Sequence, residues 1–188
     1  MIVRVCGIFF FLCMVSAGCD LFQTRDPQPP NQAASTFKPP DTPEILLDNF
    51  VSAVEEHNVT NYMRCFVDTA SSSMQFVFSP SAGYESIFLN WKLEDEQRYF
   101  QNLGDPSGAV PVLSISDFQE LNRTSSSSEM TMNYFLFYPH RRADVSQQVK
   151  GFMHLYALLD SRQQWVINRW EDTKTTSDST WSYLKAHF

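Results

Sequence analysis

The sequence predicts an α+β domain, with helices gathered at its start and an antiparallel sheet after them. Three observations carry that reading. Apolar residues recur at three- and four-residue steps between Ile45 and Val67. The period then changes to two after Val110, over four stretches of strand length. Short polar segments, RTSSSSE, PHRRADVSQQ and DSRQ, join those stretches.

Thr42-Pro43-Glu44 opens the first helix, with Thr at the N-cap, Pro at the first helical position and an acid in the first turn. Ile45, Leu46, Asn49, Phe50, Ala53 and Val54 form its apolar stripe, and Asn58 ends it. VTNYMRCFV makes a second, short helix, with Val59, Tyr62, Met63, Phe66 and Val67 turned inward. Cys65 within it reads as a small buried side chain, since no activating histidine adjoins it. MQFVF (74–78) reads as a short strand stopped by Ser79-Pro80. Residues 83–103 read as a third helix, with Trp91, Tyr99, Phe100 and Leu103 apolar and the run Glu94-Asp95-Glu96 solvated. VPVLSISDFQEL, MTMNYFLFY, KGFMHLYALL and QQWVINRWED are the four strands, the last two closed into a hairpin by DSRQ.

The N-terminus has a different character. MIVRVCGIFFFLCMVSAGCD carries one charge, Arg4, then an apolar run from Val5 to Val15, then small residues before Cys19. Such an order is that of a secretory signal. Eleven apolar residues at 1.5 Å each reach only about half of a ~30 Å hydrocarbon core. Ser16-Ala17-Gly18-Cys19 resembles the lipobox of bacterial lipoproteins, with Ser16 standing where that signal usually carries Leu. The resemblance implies a diacylglyceryl group on the Cys19 thiol, cleavage that makes Cys19 the first residue, and a membrane-anchored place in the bacterial cell envelope. Asp20 resembles the residue that keeps some enterobacterial lipoproteins at the inner membrane, which leaves the choice of membrane open. Acyl chains contribute roughly 0.8 kcal/mol per buried methylene, so two or more anchor stably. Residues 19–41 are then the lipidated cysteine and a tether holding five of the ten prolines, and residues 42–188 are one domain.

Composition narrows the function. Loss of residues 1–18 removes Arg4 alone, leaving 13 bases against 21 acids, a formal charge of −8. An acidic chain without a basic stripe does not suit nucleic acid. Cys65 is the one thiol left besides Cys19, so the domain is held by its apolar core with no disulfide. No CxxC pair or Cys/His cluster suggests a metal, and no motif suggests a cofactor.

TPEILLDNFVSAVEEHNVTNYMRCF, WKLEDEQRYF, the terminal strand with Trp165, Ile167, Arg169, Trp170 and Asp172, and the tryptophan of TWSYLKAHF together resemble the NTF2-like superfamily over residues 42–188. That resemblance implies a cone of curved sheet covered by helices, with a pocket at its open end. Members include isomerases, dehydratases, epoxide hydrolases and binding modules, and many pair through a sheet face, which implies a homodimer. Phe152, His154 and Tyr156 share one strand face by alternation, Tyr134 lies on the preceding strand and Arg169 on the following one. Tyr134, His154, Tyr156 and Arg169 are therefore the pocket residues expected around a small apolar or anionic ligand. No catalytic motif surrounds them. The chain reads as a lipid-anchored, non-enzymatic NTF2-like module that binds a small ligand or a protein partner. The alternative is a hydratase or isomerase using His154 in the cone.

Extracted from membranes in mild detergent, the protein is expected to have the mass of residues 19–188 plus acyl groups. A chain that starts at Cys19 without lipid removes the anchor.

Overall fold

A computed structural model describes residues 36–70 and 72–188; the signal (1–18), Cys19 and most of the tether lie outside the described residues. Helix α1 spans Pro43–Glu55 and α2 spans Val59–Arg64. The short strand β1, Val77–Ser79, precedes helix α3, Leu93–Leu103. Strands β2 (Val112–Arg123), β3 (Ser127–Phe137), β4 (Gln148–Leu159) and β5 (Trp165–Thr173) follow, and helix α4, Trp181–Ala186, ends the order. The five strands form one sheet in the order β1-β5-β4-β3-β2. Only the β1–β5 pair is parallel.

α1 begins as its sequence requires: Thr42 Oγ1 accepts the Ile45 N–H at 3.3 Å, and Pro43 takes the first position. Its buried stripe is Leu46, Asn49, Phe50, Ala53 and Val54. Asn49 holds the incoming chain, accepting from Lys38 N at 2.9 Å and donating to Lys38 O at 2.7 Å. Pro40 O accepts from Trp165 N at 2.9 Å, so the segment before α1 is sewn to the start of β5.

α3 is shorter than the periodicity predicts. A capping interaction starts it, in which Asp95 Oδ2 accepts the Lys92 N–H at 2.9 Å. Residues 81–92 are turns instead of helix, and Gly83 there adopts φ +99°, a conformation outside the helical region. The detour has a packing reason. It lets Phe88 pack on Phe78 at 5.0 Å and on Trp91 at 4.7 Å.

Alternation sorts the sheet residues. Met130, Met132, Tyr134 and Leu136 of β3 and Val149, Gly151, Met153, Leu155 and Ala157 of β4 turn toward the helices and are buried. The outer face carries cross-strand rows, among them Thr131, His154 and Glu171, and beside it Glu129, Tyr156 and Arg169. The core under the inner face is aromatic. Trp170 and Trp181 meet edge to face at 4.7 Å, and Phe50 touches both at 5.6 and 5.8 Å.

Gly151 marks a close approach within that core. A Cβ there would stand 2.7 Å from Tyr134 Oη and 2.8 Å from the Thr173 carbonyl. Gly151→Ala is therefore expected to lower stability by about 1–3 kcal/mol through overpacking. Urea unfolding checks this, and unchanged stability would show that the β4–β5 seam has slack.

Candidate functional site

The inside of the cone is where an open pocket was expected, and α4 fills it. Thr180 caps the helix, its Oγ1 accepting the Tyr183 N–H at 3.4 Å. Trp181, Ser182, Leu184 and Lys185 are buried, which leaves this six-residue helix almost no solvent face.

Two carboxylates hold α4 in place. Asp172 of β5 is one. Its Oδ2 accepts the Ser182 N–H at 2.7 Å, the Ser182 hydroxyl at 2.5 Å and the Ser81 hydroxyl at 3.1 Å. Its Oδ1 accepts the Tyr134 hydroxyl at 2.7 Å, and Tyr134 Oη in turn accepts the Trp181 N–H at 2.7 Å. Glu96 of α3 is the other carboxylate. Oε1 accepts the Tyr62 hydroxyl at 2.6 Å, and Oε2 accepts from Trp91 Nε1 and Lys185 Nζ, each at 2.8 Å. The Glu96 and Lys185 side chains are both fully buried. The Lys185 ammonium also lies 3.6 Å from the centre of the Phe78 ring and 3.7 Å from that of Trp170, a two-ring cation–π cage.

Electrostatics follow from this burial. Desolvation pulls the Lys185 pKa down to about 8, against the opposing pull of Glu96. Burial pushes the Tyr62, Tyr99 and Tyr134 hydroxyls well above their ordinary range, and the nearby carboxylates add to the shift. These tyrosines stay protonated and donate. Cys65 is buried, donates to Asn61 O at 3.3 Å, and has its thiol pushed up by desolvation, so it is no nucleophile.

The four residues expected in one pocket are split between the two sheet faces. Tyr134 points inward, onto Asp172. His154, Tyr156 and Arg169 do come together, but on the outer face. This corrects the placement of His154 in the cone, and the reason is that Met153, Leu155 and Ala157 take the inward positions. The His154 ring stacks on Tyr156 at 4.3 Å. Its Nε2 lies 2.8 Å from Glu129 Oε1, off the N–H axis, and its Nδ1 lies 3.4 Å from Glu171 Oε2. Arg169 pairs with Glu171 and stands 5.0 Å over the Tyr156 ring. Glu96, read as solvated, is the most buried acid of its run and is the central residue that the periodicity missed.

Fold and interior define an α+β cone whose last helix is packed against its inner face. No protein-family profile and no curated protein sequence matches the chain. Solved structures do. A candidate aromatic ring hydroxylase from Novosphingobium aromaticivorans superposes with a TM-score of 0.54 at 12% identity, over 75% of this chain and 92% of that one. A candidate dehydratase of the NTF2-like family from Streptomyces avermitilis gives 0.52 at 8% identity, over 71% and 94%. A nuclear transport factor 2-like superfamily protein from Salmonella enterica serovar Typhimurium gives 0.52 at 9%, over 71% and 88%. The chain has the NTF2-like fold, and at these identities the likeness extends to the fold alone.

The buried pair predicts a distinctive response to pH. An unfolded Lys185 titrates near 10.4 and the folded one near 8, so between these values the unfolded chain binds the extra proton. Raising the pH from about 8 therefore stabilises the fold, by at most about 1.4 kcal/mol per unit. This holds until about 8.5, where the buried Cys65 thiol keeps a proton that the unfolded chain loses and offsets the gain. Above about 10 the sign reverses, because the native tyrosines keep protons that the unfolded chain loses. Urea unfolding between pH 7 and 11 should show the rise and the fall. The double variant Glu96→Gln/Lys185→Met should lose the rise, whereas Lys185→Met alone should cost about 3–5 kcal/mol by leaving Glu96 unpaired. A rise that persists in the double variant would assign it to another group.

Proposed function

We propose that the protein is a lipid-anchored envelope protein whose NTF2-like domain acts by binding through its outer sheet face, pairing there with a second copy. The observation that carries this reading is the occupied cone. Trp181 and Lys185 occupy its interior, and both of its acids are committed to holding them. The outer face has what a self-complementary interface needs. Phe135 is 39% exposed, and Phe137 and Phe152 are half-buried on the same side. Glu129 and the exposed Lys150 lie on this face as opposite charges that a two-fold axis can bring together, beside the internal Arg169–Glu171 pair. No helix among the described residues is long and apolar enough to cross a membrane, so anchoring rests on the Cys19 reading.

The competing reading is an enzyme of hydratase or isomerase type, consistent with the name carried by one structural neighbour, the candidate dehydratase. Against it stands the position of His154, whose cluster lies on a sheet face. Sedimentation equilibrium of the purified protein is expected to give a dimer at micromolar concentration. Phe135→Asp/Phe152→Asp should give a folded monomer. A wild-type monomer, or a dimer indifferent to both changes, would remove the outer face as the interface.

A further inference from the structure

Away from both the cone and the outer face, α2 and α3 leave a groove of about 520 Å³, within the range of small-molecule sites. Its apolar lining comes from Val59 and Met63 of α2, Leu93 of α3, and Phe66. Gln97 and Gln101 of α3 and Thr60 of α2 bring neutral polar groups to its rim. Two guanidiniums complete it, Arg64 from α2 and Arg162 from the β4–β5 turn.

Both guanidiniums are held from behind. Arg64 lies 3.7 Å over the Phe37 ring, and its one side-chain hydrogen bond among the described residues is a long contact to Asn61 Oδ1 at 3.5 Å. No carboxylate among the described residues comes within ion-pair distance of it. Arg162 grips Asp160 side-on, through Nε at 2.7 Å and Nη2 at 2.6 Å. Asp160 Oδ1 accepts the Arg162 and Gln164 N–H groups at 2.8 and 3.1 Å, so the carboxylate is used up inside the turn. The Arg162 side chain stays half exposed and lines the groove. Asp68 is the one acid in the lining, and it accepts the Ala70 N–H.

We infer that this groove binds a single-chain amphipathic anion, with the apolar chain against Val59, Met63, Phe66 and Leu93 and a carboxylate or phosphate head between Arg64 and Arg162. A hydrated cation is disfavoured by two fixed guanidiniums, and a purely polar anion would leave the apolar lining wet. A fatty-acid-type molecule and the headgroup and chain of a bilayer lipid share this chemistry.

The test uses the full chain in phosphatidylcholine nanodiscs and a twelve-carbon fatty acid bearing a diazirine, with labelled peptides mapped by mass spectrometry. The readout is the same whether or not Cys19 carries lipid, so failure of the anchor and failure of the groove are separable. The expected label falls on peptides from α2 and α3. Excess dodecanoate should compete, and dodecyltrimethylammonium should not. Arg64→Gln, and separately the exposed pair Gln97→Glu/Gln101→Glu, should each cut labelling about tenfold at unchanged circular dichroism. Phosphatidylglycerol added to the discs would displace the probe if bilayer lipid is the source and leave it in place if the free acid is; either result keeps the site. Label scattered over the surface, equal competition by the cationic amphiphile, or full labelling of the charge variants would overturn it.

Discussion

Asp172 ties four parts of the chain together. It receives the Tyr134 hydroxyl from β3, the Ser81 hydroxyl from the turn after β1, and both the N–H and the hydroxyl of Ser182 from α4. A carboxylate so deep is stable only with its lone pairs met by donors, and two of those donors exist only when α4 is docked. Docking of α4 also delivers Lys185 to Glu96. Lifting the helix would strand two buried acids at once, at several kcal/mol each. The last helix and the interior of the sheet are thus mutually required, and the cone becomes a core.

Aromatic side chains suit this role for a physical reason. Tyr62, Tyr99, Tyr134, Trp91 and Trp181 each bring a broad apolar body and one donor at its tip. Tyr62 and Trp91 donate to Glu96 and Tyr134 donates to Asp172, while Trp181 Nε1 reaches Tyr99 Oη at 2.9 Å. Leucines would bring apolar volume without a donor, and would leave Glu96 without Tyr62 and Trp91 and Asp172 without Tyr134.

Long elements with one buried face were legible in the sequence. α1 follows its cap and stripe, and the four long strands appear where the period turns to two. Elements buried all round were not. WSYLKA has no polar stripe to reveal α4, because nearly every side of it meets protein. Glu96 sits between Asp95 and Gln97, and only tertiary packing separates the buried acid from its solvated neighbour. In β4 both alternate sets contain apolar residues, so the period alone did not say which faces inward. A usable signal was present: Gly151 and Ala157 belong to the Met153 set, as crowding demands, while Lys150 begins the His154 set, as solvent permits.

With α4 packed on the inner face, the outer sheet face and the α2–α3 groove are surfaces that the domain shows to its surroundings. The chain enters the domain beside the α2–α3 groove: Thr36 donates to Glu56 at 2.6 Å, and Phe37 lies beneath Arg64. Cys19 is 17 residues from that point, counting residues 19 to 35. The outer face lies across the sheet from α1 and α4, so a partner or second copy docked there need not compete with the groove. The buried acids and aromatics of the core, the outer sheet face and the α2–α3 groove are thus built from separate residues of one small domain.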